Sequence, residues 1–144
     1  MIPTTASIAP ARPTKAVLIV DDEPAIVRML RDALGVFRHE HAYKVETAAD
    51  GMDALDAMKR DRFDVVLLDM HMARMGGLEV LEHMKRMQLR TPVLMLTGND
   101  DAKASADALS RGILAYVPKP FDLLQLEHLI SLAVCSHADS TKPA

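Results

Sequence analysis

The sequence has no tryptophan, only five tyrosines and phenylalanines, and a single cysteine. One cysteine excludes an internal disulfide, and with it the small stapled folds of oxidising compartments. Cys135 reads as a partly buried spectator on the last helix rather than a reactive thiol. No apolar run is long enough for a membrane span or a signal core; Ala16–Val20 stops at two acids. These absences predict a cytoplasmic protein. An excess of basic residues is also missing: the net charge is −3, unlike the footprint of a nucleic-acid binder. The densest basic group, Lys85, Arg86 and Arg90, reads as a solvated helix end.

What is present suits one ordinary globular domain. The chain has 144 residues, 49% of them hydrophobic and 26% charged, enough for a real core. Residues 1–14 and 136–144 are predicted to be flexible tails around a domain at 15–135, because their Pro-, Ala-, Ser- and Thr-rich composition buries little.

Between the tails, strand and helix patterns alternate. Short apolar runs, Ala16–Val20, Asp64–Leu68 and Pro92–Leu96, suit parallel strands covered on both faces. Weaker strands are expected at Tyr43–Thr47 and Leu114–Val117. The first helix carries Ile26, Met29, Leu30 and Ala33 on one face, with Asp22 as its N-cap and Pro24 in its first turn. Helices follow at about 52–60, 78–87 and 102–110, and the last starts near Phe121. The fourth shows a thin apolar face, Ala102, Ala106 and Leu109. The last carries Leu126, Leu129, Ile130 and Ala133. Five strand–helix units in series predict an α/β fold: a doubly wound parallel sheet with helices on both faces.

In such sheets the chemistry collects beyond the carboxyl ends of the strands. There the sequence places Asp21, Asp22 and Glu23 after strand one, Asp69 after strand three, Thr97-Gly98 after strand four and Lys119-Pro120 after strand five. Each alone has a plain structural explanation as a helix-start acid or a turn residue. Together they form a set. Crowded carboxylates call for a cation, and hard oxygen ligands on a shallow surface favour Mg²⁺. With a fixed lysine and a hydroxyl, the set suits phosphoryl transfer to a carboxylate.

The segments VLIVDDEP, TAADGMDAL, DVVLLDMHMARMGGLEVL, PVLMLTG and GILAYVPKPF resemble the receiver domains of two-component response regulators, over Lys15 to Val134. The resemblance implies a flavodoxin-like sheet of strand order 2-1-3-4-5. It implies Asp69 as the phospho-acceptor, with Asp22, Asp21, Asp69 and the backbone carbonyl of His71 as Mg²⁺ ligands. It further implies Thr97 as the switch hydroxyl, Lys119 as the partner of the phosphoryl group, a cis bond to Pro120, and Tyr116 as the aromatic that turns inward when Thr97 moves.

The implied partners are a sensor histidine kinase or a histidine phosphotransfer protein, and a downstream protein that meets the face of helix four, strand five and helix five. Neither nucleic acid nor membrane is expected as a direct partner. The chain is expected to be a monomer or a phosphorylation-dependent dimer. Its chemistry would be its own phosphotransfer and slow autodephosphorylation, not turnover of a separate substrate. Roughly ten residues follow the last helix, so a single-domain regulator is expected. The alternatives are a phosphorylation-independent interaction module and a piece of a longer regulator or hybrid kinase. A haloacid-dehalogenase-like phosphatase would need a second aspartate where His71 stands.

The sequence departs from the family pattern in the loop after Asp69. Ala73 replaces a usual proline and Gly76 an acid or amide, which predicts a looser loop. The link Gly35–Ala42 is longer than usual. His39 and His41, with Glu40 between them, read as exposed histidines rather than a metal site. His71 and Asn99 flank the acceptor and are expected to tune water access, with Gly98 leaving the entrance open. The methionines read as core and loop filling, with Met72 and Met75 the expected exceptions.

Overall fold

The computed structural model describes residues 13–37, 41–98 and 102–140, the side chains of 102–105 and 136–140 excepted. Five strands and five helices alternate: β1 (Thr14–Val20), α1 (Pro24–Val36), β2 (Ala42–Ala48), α2 (Gly51–Arg60), β3 (Val65–Asp69), α3 (Gly77–Arg86), β4 (Val93–Gly98), α4 (Ala102–Ser110), β5 (Ala115–Lys119) and α5 (Leu123–Ser140). The strands pair in parallel in the order β2-β1-β3-β4-β5, as the resemblance implied.

The central strands are apolar on both faces because both faces are covered. All five residues of β3 are buried. Alternate residues divide between two cores. Leu18, Val66, Leu68 and Met95 meet α2 and α3 on one side. Ile19, Leu67, Leu94 and Leu96 meet α1 and α5 on the other. At about 1.5–3 kcal/mol for each fully buried large apolar side chain, these strands hold the scaffold.

Several helix details depart from the sequence reading. In α1 the buried face is Leu30, Ala33 and Leu34, and Met29 is exposed. The stripe is rotated because Phe37, the C-cap, is also buried. The N-cap is Glu23, without a side-chain cap bond, and not Asp22. Asp21 turns the chain instead, its Oδ1 accepting the Glu23 N–H at 2.9 Å. In α4, Ala108 is buried while Ala106 and Leu109 are exposed, so the expected apolar face is misplaced; the side chain of Ala102 lies outside the described residues. Cys135 is exposed, not partly buried.

α5 runs to Ser140, past the expected domain end at 135. Residues 1–12 and 141–144, parts of the expected tails, lie outside the described residues. So do His39 and Glu40. Gly35 and Val36 of the long link belong to α1. Among the described residues no helix is long and apolar enough to cross a membrane.

Candidate functional site

The site sits where the sheet delivers it, at the carboxyl ends of β1, β3, β4 and β5. Asp69 is the last residue of β3 and pairs in register with Leu96; Thr97 and Gly98 of β4 pair with Pro118 and Lys119. The chain can turn sharply after Asp69 because Met70 is fastened at both ends. Its N–H donates to Leu96 O at 2.8 Å, and its carbonyl accepts from Gly77 N–H at 2.9 Å. Gly77 must lack a side chain here: a Cβ would lie 2.7 Å from the Asp69 carbonyl oxygen and 3.1 Å from Met70 Cα.

Asp21 and Asp69 are buried and Asp22 is exposed. Each of the three offers a carboxylate oxygen, and these atoms lie within 4.8 Å of one another. Lys119 Nζ reaches over two of them, donating to Asp21 Oδ2 and Asp69 Oδ1 at 3.3 Å each. Glu23 Oε1 is 3.9 Å from the same ammonium. The His71 N–H points to Asp69 Oδ1 at a long 3.4 Å. Thr97 is buried beside them, its hydroxyl donating weakly to Gly98 O at 3.4 Å. The Lys119–Pro120 bond is cis.

Burial raises the Asp69 carboxyl above its ordinary value, and the neighbouring Asp21 charge adds to this; Lys119 only partly opposes them. Burial alone would lower Lys119, but Asp69 and Asp21 outweigh it and hold the ammonium charged. One lysine against three clustered carboxylates leaves uncompensated negative charge. A hard divalent cation fits this donor set. A groove of about 430 Å³ opens beside Asp21 and Asp22, walled by Arg28 and Arg31 of α1 and by Thr47 and Ala48 of β2.

Every site residue expected from the sequence among the strand ends is therefore gathered at one edge. Tyr116 stands apart, on β5 opposite Met95, with 42% of its surface exposed. Asn99 lies outside the described residues.

The pattern of a family model settles what the scaffold is: the response regulator receiver domain matches residues 17–131. The chain belongs to that family. This receiver domain is similar to the response regulator MprA of Mycolicibacterium vanbaalenii, 39% identical over 110 residues, which are 76% of this chain and 46% of that protein. It thus spans about half the length of the curated relatives it matches. Among solved structures it is similar to the CheY-like receiver domain protein of Methanospirillum hungatei, at 28% identity and TM-score 0.79, covering 88% of this chain and 98% of that one. The chemotaxis protein CheY4 of Vibrio cholerae is 32% identical with TM-score 0.74, covering 83% and 98%.

The sequence reading missed two residues of the receiver's rim, Arg74 and Asp50. Arg74, in the loop after Asp69, donates from Nε and Nη2 to Asp50 Oδ2 at 2.9 and 2.5 Å. Twenty-four residues separate the pair, so no local spacing announces it. The loop predicted to be loose is anchored there. It is anchored again at Met75, which is buried against the position of Gly51 rather than exposed for binding. Met72 also packs on the core.

Proposed function

We propose that this receiver domain is a phosphorylation-activated switch that takes a phosphoryl group from a phosphohistidine onto Asp69. The carrying observation is a buried Asp69 carboxylate with Lys119 Nζ at 3.3 Å, inside a cluster of three acids that lacks one positive partner. In the transfer, an Asp69 oxygen forms a bond to phosphorus as the phosphorus–nitrogen bond to the donor imidazole breaks. The bonding pair leaves with the imidazole nitrogen.

Asp21, Asp22, Asp69 and the His71 backbone carbonyl would hold Mg²⁺, which when bound supplies charge neutralisation for the phosphoryl oxygens. Lys119 orients and neutralises the incoming group, and catalysis is largely such positioning. Thr97, already buried beside Asp69, is the hydroxyl that would turn to a phosphoryl oxygen. Its movement frees space for the exposed Tyr116 ring to turn inward, biasing a two-state equilibrium. Leu109, Leu114, Tyr116 and Leu124 are exposed on α4, β5, α5 and their connections, which supports that face as the docking surface for a downstream protein. The donor is a sensor histidine kinase or histidine phosphotransfer protein of a cytoplasmic pathway. No turnover of a separate substrate is proposed; slow hydrolysis of the aspartyl phosphate resets the switch.

Intact mass after brief incubation with acetyl phosphate tests the reading, with and without Mg²⁺, on wild type and Asp69→Ala. One added phosphoryl group that needs both Mg²⁺ and Asp69 is expected. No gain in a folded protein would move the assignment to a phosphorylation-independent interaction module.

A further inference from the structure

The loop between Asp69 and α3 carries the His71 carbonyl, yet the only bond printed on the geometry between His71 and Asp69 is the long 3.4 Å contact from its N–H. That contact is too long to fix the loop. Ala73 and Gly76 add no stiffness of their own. Fixing must come from further along, and two fastenings are present. Met75 is buried against Gly51, where an added Cβ would come within 2.7 Å of it. Arg74 forms its two-donor contact with Asp50.

Asp50 is itself immobilised. It is the N-cap of α2, with Oδ1 accepting the Asp53 N–H at 2.9 Å. Its side chain is 13% exposed while that of Arg74 is 64% exposed. The two oxygens of one carboxylate thus divide their work: Oδ1 holds a helix end, and Oδ2 holds the loop. The guanidinium fork suits this, since both its donors converge on one acceptor without a flexible hinge. An isolated surface ion pair contributes little to stability, so the effect of this one falls on where the loop stands rather than on whether the domain folds.

We infer that Arg74 is a positioning residue for the cation and phosphoryl site: through Asp50 it holds the segment bearing His71 against Asp69. This rests on the proposed phosphotransfer function and names a control of that same site. Residues that orient ligands from one layer out commonly change metal affinity tenfold or more when removed.

The test compares wild type, Arg74→Gln, Arg74→Lys, Asp50→Asn and the double variant Arg74→Gln/Asp50→Asn. Asparagine can still accept the Asp53 N–H, so it keeps the helix cap and removes the charge partner. Three quantities are read: amide hydrogen exchange of residues 71–76 in metal-free protein, Mg²⁺ affinity by amide-shift titration, and phosphoryl uptake from acetyl phosphate. Arg74→Gln is expected to speed loop exchange and weaken Mg²⁺ binding roughly tenfold, with Tm nearly unchanged. Arg74→Lys recovers part of the loss. Asp50→Asn matches Arg74→Gln, and the double variant loses no more than either. Equal exchange and Mg²⁺ affinity in wild type and Arg74→Gln would overturn the inference, as would losses that simply add. A wild type that binds Mg²⁺ with the expected Arg74 dependence but takes no phosphoryl group would sink the phosphotransfer reading and leave the clamp standing.

Discussion

Lys119 Nζ stands 3.3 Å from Asp69 Oδ1, with 19% of the lysine side chain and 5% of the aspartate side chain exposed. The pair joins the ends of β5 and β3 across the intervening strand β4. Its ammonium is shared with Asp21 at the same distance. Removing it leaves two buried carboxylates facing each other.

Lys119→Ala should therefore fail twice. Metal-free protein should lose about 1–3 kcal/mol, the scale of an uncompensated buried polar group. Phosphoryl uptake should slow by about a hundredfold, the scale of losing one preorganised charge-stabilising donor. Chemical denaturation in chelator and the time course of mass gain read the two effects separately.

Asp69→Asn should move stability the other way. The carboxyl is raised by burial and by Asp21, so its ionised form is held at a cost in metal-free protein. The amide removes the charge and keeps the shape. Melting in chelator should rise by a few degrees, about 1 kcal/mol on a domain of this size. The extra stabilisation that Mg²⁺ gives wild type should shrink in the variant. A variant that melts lower than wild type in chelator would contradict the electrostatic account.

Gly77→Ala should distort the acceptor rather than merely loosen α3. The new methyl would meet the Asp69 carbonyl oxygen and Met70 Cα, both backbone, besides Met95 Sδ at 3.0 Å. A loss of about 1–3 kcal/mol is expected from the overpacking. Phosphoryl uptake per folded molecule should fall as well. A stable variant with normal uptake would show that the β3–α3 turn has more room than these distances allow.

Tyr43 sets an alkaline limit. Burial, with Cys135 and Glu127 nearby, pushes its hydroxyl from 10.0 up to about 12. The folded state thus keeps a proton that the unfolded chain releases. This contribution is fully present below about pH 10 and is lost as pH rises toward about 12. In a Tyr116→Phe background, tyrosinate absorbance should report a late titration, and denaturant midpoints should decline over that interval. Tyr43→Phe should remove the decline.

The sheet was legible because its central strands are apolar on both faces, and each run ends at a charged or hydroxyl residue that marks the carboxyl edge. Asp21, Asp22, Asp69, Thr97 and Lys119 could be named for the same reason: strand ends of a parallel sheet converge. Finer placements depended on tertiary packing. Met29 fits an apolar stripe in α1, but the burial of Leu34 and Phe37 rotates the helix away from it. Met75 looked free in a loop, and only the close approach of Gly51 shows it to be core. The bond between Arg74 and Asp50 is the same kind of case. It joins two elements distant in sequence, so neither residue's neighbours carry a sign of it.

Among the described side chains of α4, only Ala108 is buried, while Ala106, Asp107, Leu109 and Ser110 face outward. A single methyl is worth about 1 kcal/mol of burial, close to the 1.4 kcal/mol that changes a population ratio tenfold. The helix following Thr97 is therefore geared low. One hydrogen bond gained or lost at the strand end is comparable to the attachment that these residues provide, so a small chemical event there has leverage over a large piece of surface. Replacing Ala106 or Leu109 should leave that gearing intact, whereas enlarging the contact at Ala108 would stiffen it.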